Sequence, residues 1–346
     1  MTARIAGFGS SFPGRIDQEA VWEKHFAPRL SKPRVAGRLF RAAGVEHRHA
    51  VADPLVEDVS AWSTERRMRR YSLEAPALGK EAVAAALVEA GLPAADVGLL
   101  AVVSCTGYAT PGLDIHLAAD LGMAEDVQRL VIGHMGCYAA LPGLGAVADF
   151  VAARGRPAVL LCLELTSLHA QPVTDDLAQV ITHALFADAA AAVVLRPAGD
   201  GVEVLDVVAR TATGTADHMR WDVTDHGFRM ELSPRVPDVL ARHVAPAVDA
   251  LLARNGMTRA DVGGWAVHPG GPRILDTVAH TLGLAPDALD ASRTVLRERG
   301  NCSSATVLLV LDELRRTGLA PGAPVVAMAF GPGLTLYASL LRGAAG

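Results

Sequence analysis

The chain has 346 residues and 36.1 kDa, 51% of it hydrophobic and only 5% aromatic, with 33 Gly and 20 Pro. Such a composition is neither disordered, collagen-like nor low-complexity, and it suffices for one large α/β unit or two domains of ~170 residues. Thirty-seven Asp and Glu against 32 Lys and Arg give a net charge of −5 with no basic tail, which argues against nucleic acid as a partner.

From the N-terminus, Arg4 is followed by the short apolar run Ile5–Phe8 and then Gly-Ser-Ser-Phe-Pro-Gly, a strand and a turn rather than a secretory leader. No run of ~18 apolar residues free of charge follows, so a soluble, cytoplasmic chain without membrane contact is expected. Arg66, Arg67, Arg69 and Arg70 read as a solvated helix face or as a collar for an anionic substrate. The cysteines at 105, 137, 162 and 302 form no CxxC pair, which argues against zinc, any other bound metal and a disulfide framework.

Apolar runs then alternate with Ala-rich helical stretches. The strand Val97–Ser104, a helix near Cys137–Arg154, the strand Ala158–Leu163, a helix near Leu177–Phe186 and the strand Ala189–Leu195 form a first set. The strand Val202–Ala209, a helix near Val236–Asn255, Gly264–Val267, a helix near Asn301–Arg316, and the strands Val325–Phe330 and Leu334–Leu341 form a second. Their order implies crossover connections and a largely buried sheet. Gly136-Cys137 and Gly300-Asn301 each open a helix, and the spans to the Pro before the next strand are nearly equal. That points to a duplicated unit, with halves 1–200 and 201–346. Packed face to face, the halves bring the helix starts at Cys137 and Asn301 towards one point.

Three residues stand where chemistry is expected. Cys137 lies where a strand gives way to a helix, so the dipole and free N–H groups favour its thiolate. His268 ends an apolar strand before Pro-Gly-Gly, a turn that leaves its ring facing a cavity. Asn301 precedes a helix. Each has an ordinary alternative: a small buried apolar side chain, a structural histidine and an N-cap. The order Cys…His…Asn also occurs in papain-like proteases, but 136 residues precede this Cys and the Asn stands at a helix start.

The ordered set VSCTGYATPGLD (103–114), MGCYAA (135–140), LCLELTS (161–167), ALFADAAAAVVL (184–195), HGFRMELSPRVP (226–237), WAVHPGG (265–271), GNCSSA (300–305) and FGPGLT (330–335) resembles a type III polyketide synthase of the bacterial type, the chalcone synthase-like branch of the thiolase fold. The resemblance runs from about residue 1 to 342. It implies a homodimer of thiolase-like αβαβα layers in which Cys137 carries the acyl group and His268 and Asn301 complete the triad. It also implies acyl-CoA starter and malonyl-CoA as substrates, no further cofactor, and release as a pyrone or resorcinol-like product.

By the same resemblance, Phe186 and Met230 gate the passage between the CoA tunnel and the cavity, Met230 replacing a common Phe. Thr110 stands where plant enzymes project a Met into the partner's cavity. Arg38 and Arg41 fall on the helix that holds CoA phosphates. Ser303 shapes the cavity wall or packs the helix start, and Glu164 and Thr166 hold a water or intermediate, or form a structural pair. An initiating ketoacyl-ACP synthase or single-step acyltransferase shares the fold and the triad types, and is the alternative.

Overall fold

A computed structural model describes residues 2–344. In chain order the first set of elements is β1 (Arg4–Ser11), β2 (Arg15–Asp17), α1 (Gln18–Val21), α2 (Pro33–Arg41), β3 (His47–His49), α3 (Thr64–Ala90), β4 (Leu99–Val103), α4 (Leu113–Asp120), β5 (Gln128–Ile132), α5 (Ala140–Arg154), β6 (Ala158–Glu164), α6 (Leu177–Leu185) and β7 (Ala189–Arg196). The second is β8 (Val202–Thr211), the hairpin β9 (Met219–Thr224) and β10 (Gly227–Leu232), α7 (Val236–Arg254), β11 (Gly264–Val267), α8 (Pro272–Leu282), α9 (Asp290–Arg299), α10 (Ala305–Thr317), β12 (Pro324–Gly331) and β13 (Thr335–Arg342).

The strand orders β5-β4-β6-β7-β1 and β11-β12-β13-β8 share one topology. In each, a parallel pair (β4–β6, β11–β12) is followed by two antiparallel pairings (β6–β7–β1, β12–β13–β8). β1 and β8 touch through Arg4↔Glu203 and Ile5↔Val202, which joins the two orders edge to edge. Every residue of β6 is buried, and so is Ala189–Leu195 of β7. Strands with no polar alternation need a cover on both faces.

Helices supply it. α5 and α10 lie in the middle, against strands of both sets and against each other. α3 and α4 cover one outer face, while α7 and α8 cover the other. The result is the layered αβαβα arrangement. The segment Gly136–Arg154 is long and apolar enough to cross a membrane, but most of it is buried between the two sheets.

Two expectations need correction. The second helix begins at Ala305, not Asn301, because the Asn301 N–H donates to Leu185 O (2.8 Å) and its carbonyl accepts from Ala187 N–H (3.0 Å). With both backbone groups spent on the Phe186 bridge, Asn301 cannot enter the helix, and it is not the N-cap. In the arginine cluster, Arg67 is neither a solvated face nor an anion collar. It is fully buried, donating to the carbonyls of Ser60, Trp62, Leu168 and Ala170, and burial lowers its pKa to about 10. Arg69 and Arg70 pair with Glu65 and with Glu57 and Glu74, and Arg66 stacks on Trp62.

Candidate active site

Cys137 sits in the 3₁₀ turn Gly136–Tyr138 that leads into α5. Two glycines permit that position. Gly136 has φ +76°, where a Cβ would stand 2.6 Å from Pro332 Cδ; a Cβ on Gly331 would stand 2.7 Å from the Tyr138 ring and 3.3 Å from the Cys137 nitrogen. The Gly-Cys and Gly-Pro-Gly segments therefore close directly on each other. His268 follows β11, its N–H donating to Met328 O at 2.8 Å to extend the β11–β12 ladder. Asn301 Oδ1 accepts the Ser303 N–H at 2.9 Å, which turns the Asn301 amide nitrogen outward with its donors unspent.

All three are buried, with exposures of 4%, 1% and 2% for Cys137, His268 and Asn301. Burial is the largest influence on the first two. It pushes the Cys137 thiol up to about 12 and the His268 imidazole down to about 3. Desolvation thus opposes the thiolate that the helix dipole favours. Nor does the His268 ring face an open cavity; its Nδ1 is buried without a partner.

Around the thiol lies a polar cluster. Cys137 Sγ is 3.6 Å from Ser303 Oγ, and Cys105 Sγ is also 3.6 Å from that oxygen. Ser303 adopts φ +48°, a left-handed backbone uncommon for a residue with a Cβ, and this aims its hydroxyl between the two sulfurs. Glu164 is fully buried and accepts from Cys105 N–H (3.0 Å), Thr106 Oγ (2.8 Å) and Ser304 Oγ (2.6 Å). Burial raises its pKa, and its charge in turn raises those of Cys105 and Cys137. Thr166 belongs to a separate network, donating to Ala187 O at 2.8 Å and Asp188 at 3.1 Å. Glu164 and Thr166 are therefore not a pair.

A cavity of about 80 Å³ has Thr166, Phe186 and Met230 in its wall, and the Phe186–Asn301 backbone bridge ties that wall to the Asn301–Ser303 segment. The cavity's far side is aromatic. Trp221 lies 6.0 Å from Phe186 and 6.2 Å from His169, ring centre to ring centre. His169 Nδ1 accepts from Phe228 N–H (3.0 Å), so Nε2 carries the proton and donates to Thr106 O (2.7 Å). Burial lowers its pKa to about 4, and it stays a neutral clamp between the Cys105 loop and β10.

The remaining expected residues lie outside this cavity. Arg38 is exposed on α2 and forms no ion pair among the described residues, whereas Arg41 is engaged by Glu19 through Nε at 2.9 Å and through Nη2. Thr110 is exposed and accompanies Tyr108, His116 and Val131 in a separate cleft of about 280 Å³, away from the triad of its own chain. Glu46, His47 and Glu298 bring three potential ligand atoms together, but Arg15 and Arg297 already pair with Glu298.

The profile of the chalcone and stilbene synthase N-terminal domain matches residues 47–198, and that of the C-terminal domain matches residues 205–345. The chain belongs to the chalcone and stilbene synthase family. This synthase is 38% identical to the 1,3,6,8-tetrahydroxynaphthalene synthase of Streptomyces peucetius subsp. caesius over 88% of its own length and 82% of that protein's. It is 32% identical to the α-pyrone synthesis polyketide synthase-like Pks18 of Mycobacterium tuberculosis, over 98% and 90%. Among solved structures, polyketide synthase I of the brown alga Ectocarpus siliculosus superposes with a TM-score of 0.92 at 31% identity, covering 99% of this chain and 98% of that one. The tetrahydroxynaphthalene synthase of Streptomyces coelicolor A3(2) gives 0.90 at 30%, covering 99% and 100%. The protein is a type III polyketide synthase with the thiolase-like fold.

Sequence reasoning missed His169, Trp221 and Gln179 in the cavity wall and Cys105 beside Ser303. Cys105 had a usable signal. β4 and β6 are parallel with Val103 opposite Cys162, so two residues further along Cys105 meets Glu164 at the carboxyl ends of the strands, where α/β sites gather.

Proposed function

We propose that the synthase loads an acyl-CoA starter on Cys137 and extends it with malonyl-CoA by decarboxylative condensation, releasing a pyrone or resorcinol-like product. The observation that carries this is the meeting, in the central layer, of Cys137 before α5 with the Asn301–Ser304 segment before α10. Loading breaks the thioester C–S bond, forms Cys137–S–acyl and releases CoA. Decarboxylation of malonyl-CoA then releases CO₂ and sends the C–C bonding pair towards the thioester oxygen as an enolate, which the side-chain Nδ2–H of Asn301 and a ring N–H of His268 stabilise. The enolate carbon attacks the acyl group and returns the Cys137 sulfur. No cofactor beyond the CoA thioesters enters this scheme, and a cytoplasmic reaction is in keeping with their use. Offered free malonyl-CoA, the enzyme is expected to yield polyketide; turnover confined to malonyl-ACP would favour the ketoacyl-ACP synthase alternative.

His268 has a second role here. In the proposed reaction the Cys137 proton passes to His268; a thiolate–imidazolium pair carries no net charge, so excluding water penalises it far less than either ion alone. Proton transfer from Cys137 to His268 therefore lowers the thiol's apparent pKa below the value of about 12 that burial dictates. Alkylation by iodoacetamide tracks the thiolate, so its rate rises with pH through that pKa. In His268→Gln the inflection is expected to move upward; an unchanged profile would remove His268 from this role.

Arg38, exposed on α2 and without an ion pair among the described residues, is the cation assigned to CoA phosphates, with Arg41 restrained by Glu19. Met230 is buried at the gate, and its flexible thioether suits an aliphatic starter or malonyl-CoA itself rather than a coumaroyl ring. Met230→Phe is expected to lower kcat/KM for long alkanoyl-CoA about tenfold relative to acetyl-CoA, because added bulk in a packed gate costs ~1–3 kcal/mol. An equal response of long and short starters would show that the gate does not read the chain.

The partner is a second copy. β5 is an edge strand with Leu130 and Val131 exposed, and Tyr108 and Ile115 are exposed near it. An open apolar edge is a template for pairing. Thr110 lies on this face, positioned to approach the partner's cavity. Sedimentation equilibrium is expected to return a dimer, and a monomer at micromolar concentration would refute it.

A further inference from the structure

The cavity side of α6 carries polar groups that the scheme above leaves unused. Gln179, Thr182, His183 and Phe186 recur at i, i+3, i+4 and i+7, on one side of the helix, and all four line the cavity. Gln179 is 5% exposed, and its Nε2 donates to Met230 O at 3.0 Å. Only the NH2 end of an amide can face a carbonyl oxygen, so Oε1 is directed elsewhere. That oxygen is buried without a partner. One turn along, His183 Nε2 is also buried without a partner, and burial lowers the imidazole's pKa to about 4, which leaves it neutral.

The other side of α6 packs on α2 through Phe40, Val180, Ala184 and Leu185. α2 carries the free Arg38, and α6 ends at Phe186, whose backbone is bridged to Asn301. On the CoA-thioester reading, phosphates at Arg38 and an acyl end near the Phe186–Asn301 bridge put α6 between the two ends of the pantetheine arm. That arm offers two amide N–H donors, and Gln179 Oε1 is a buried acceptor in the cavity wall with no donor among the described residues.

We propose that Gln179 is the positioning residue of the gate, holding Met230 through Nε2 while Oε1 accepts a hydrogen bond from an amide N–H of the pantetheine arm. One side chain then couples the two gate residues, Met230 on β10 and Phe186 at the end of its own helix, to the presence of the arm. A buried acceptor that gains its only donor on substrate binding favours substrates that carry that donor. The inference rests on the CoA-thioester reading above.

The test crosses enzyme and substrate changes. Wild type and Gln179→Leu are compared on malonyl-pantetheine and on two analogues in which one or the other amide N–H is replaced by an ester oxygen. Wild type is expected to lose about tenfold in kcat/KM on one analogue, mostly through KM, whereas Gln179→Leu treats that analogue and the parent alike. Equal discrimination by both enzymes at both positions would make Gln179 merely structural and overturn the proposal. So would a wild type indifferent to both replacements, a result that needs no variant to fold. Wild-type turnover of malonyl-CoA is the control, and its absence would sink the CoA-thioester reading instead.

Discussion

Cys137→Ala is expected to abolish condensation, by at least ~10⁴-fold, while leaving the fold intact. The magnitude follows from the loss of the only group that holds the starter while the extender is decarboxylated, since removing a covalent nucleophile typically leaves no more than background catalysis. Folding should persist because the change removes one sulfur atom whose only side-chain polar contact among the described residues is a 3.6 Å approach to Ser303 Oγ. Product analysis with malonyl-CoA and an acyl-CoA, together with thermal unfolding, checks both halves. Residual polyketide above one part in a thousand would show that another group carries the chain.

Cys137→Gln is expected to convert the synthase into a malonyl-CoA decarboxylase. Loading is lost with the thiol, but the enolate donors on His268 and Asn301 are untouched, so malonyl-CoA still yields CO₂ and, after protonation of the enolate carbon, acetyl-CoA. Adding Asn301→Ala should then slow acetyl-CoA formation by ~100-fold or more, the usual cost of losing one oxyanion donor. The geometry makes this sharp. Asn301 Oδ1 is held by the Ser303 N–H, so the side chain has a fixed donor end and its removal leaves nothing to swing into its place. Unchanged decarboxylation in the double variant would reduce Asn301 to a backbone anchor for Phe186.

The duplicated topology was legible because the repeated strand and helix lengths, and a glycine before each central helix, are local features. The triad candidates were picked out by local signals, Cys137 and His268 each between a strand and a helix and Asn301 just before a helix. Their electrostatic state was not legible. Whether the dipole or desolvation rules the Cys137 thiol depends on how completely two sheets and the Gly331–Gly333 loop exclude water, and no sequence spacing reports that. Asn301 looked like an N-cap because a helix follows, yet its backbone is committed to Leu185 and Ala187, more than a hundred residues earlier. Arg67 reads as one of four surface arginines until the carbonyls of Leu168 and Ala170, a hundred residues away, are found beside those of Ser60 and Trp62. The β9–β10 hairpin brings Trp221 and Phe228 to the cavity by docking its turn on Thr64, a contact set by tertiary packing alone.

The presence of Cys105 makes the location of the acyl group the most direct question. Its sulfur is as close to Ser303 Oγ as that of Cys137, and both thiols share the neighbourhood of Glu164. Their settings differ, because Cys137 stands at the turn before α5 with Gly331 closing on it, whereas Cys105 is held against a carboxylate that opposes its ionisation. Acid-quenching the wild-type enzyme seconds after mixing with acyl-CoA, digesting it and mapping the added acyl mass decides between them. The acyl mass is expected on the peptide containing Cys137, and its appearance on the peptide containing Cys105, Cys162 or Cys302 would contradict the assignment.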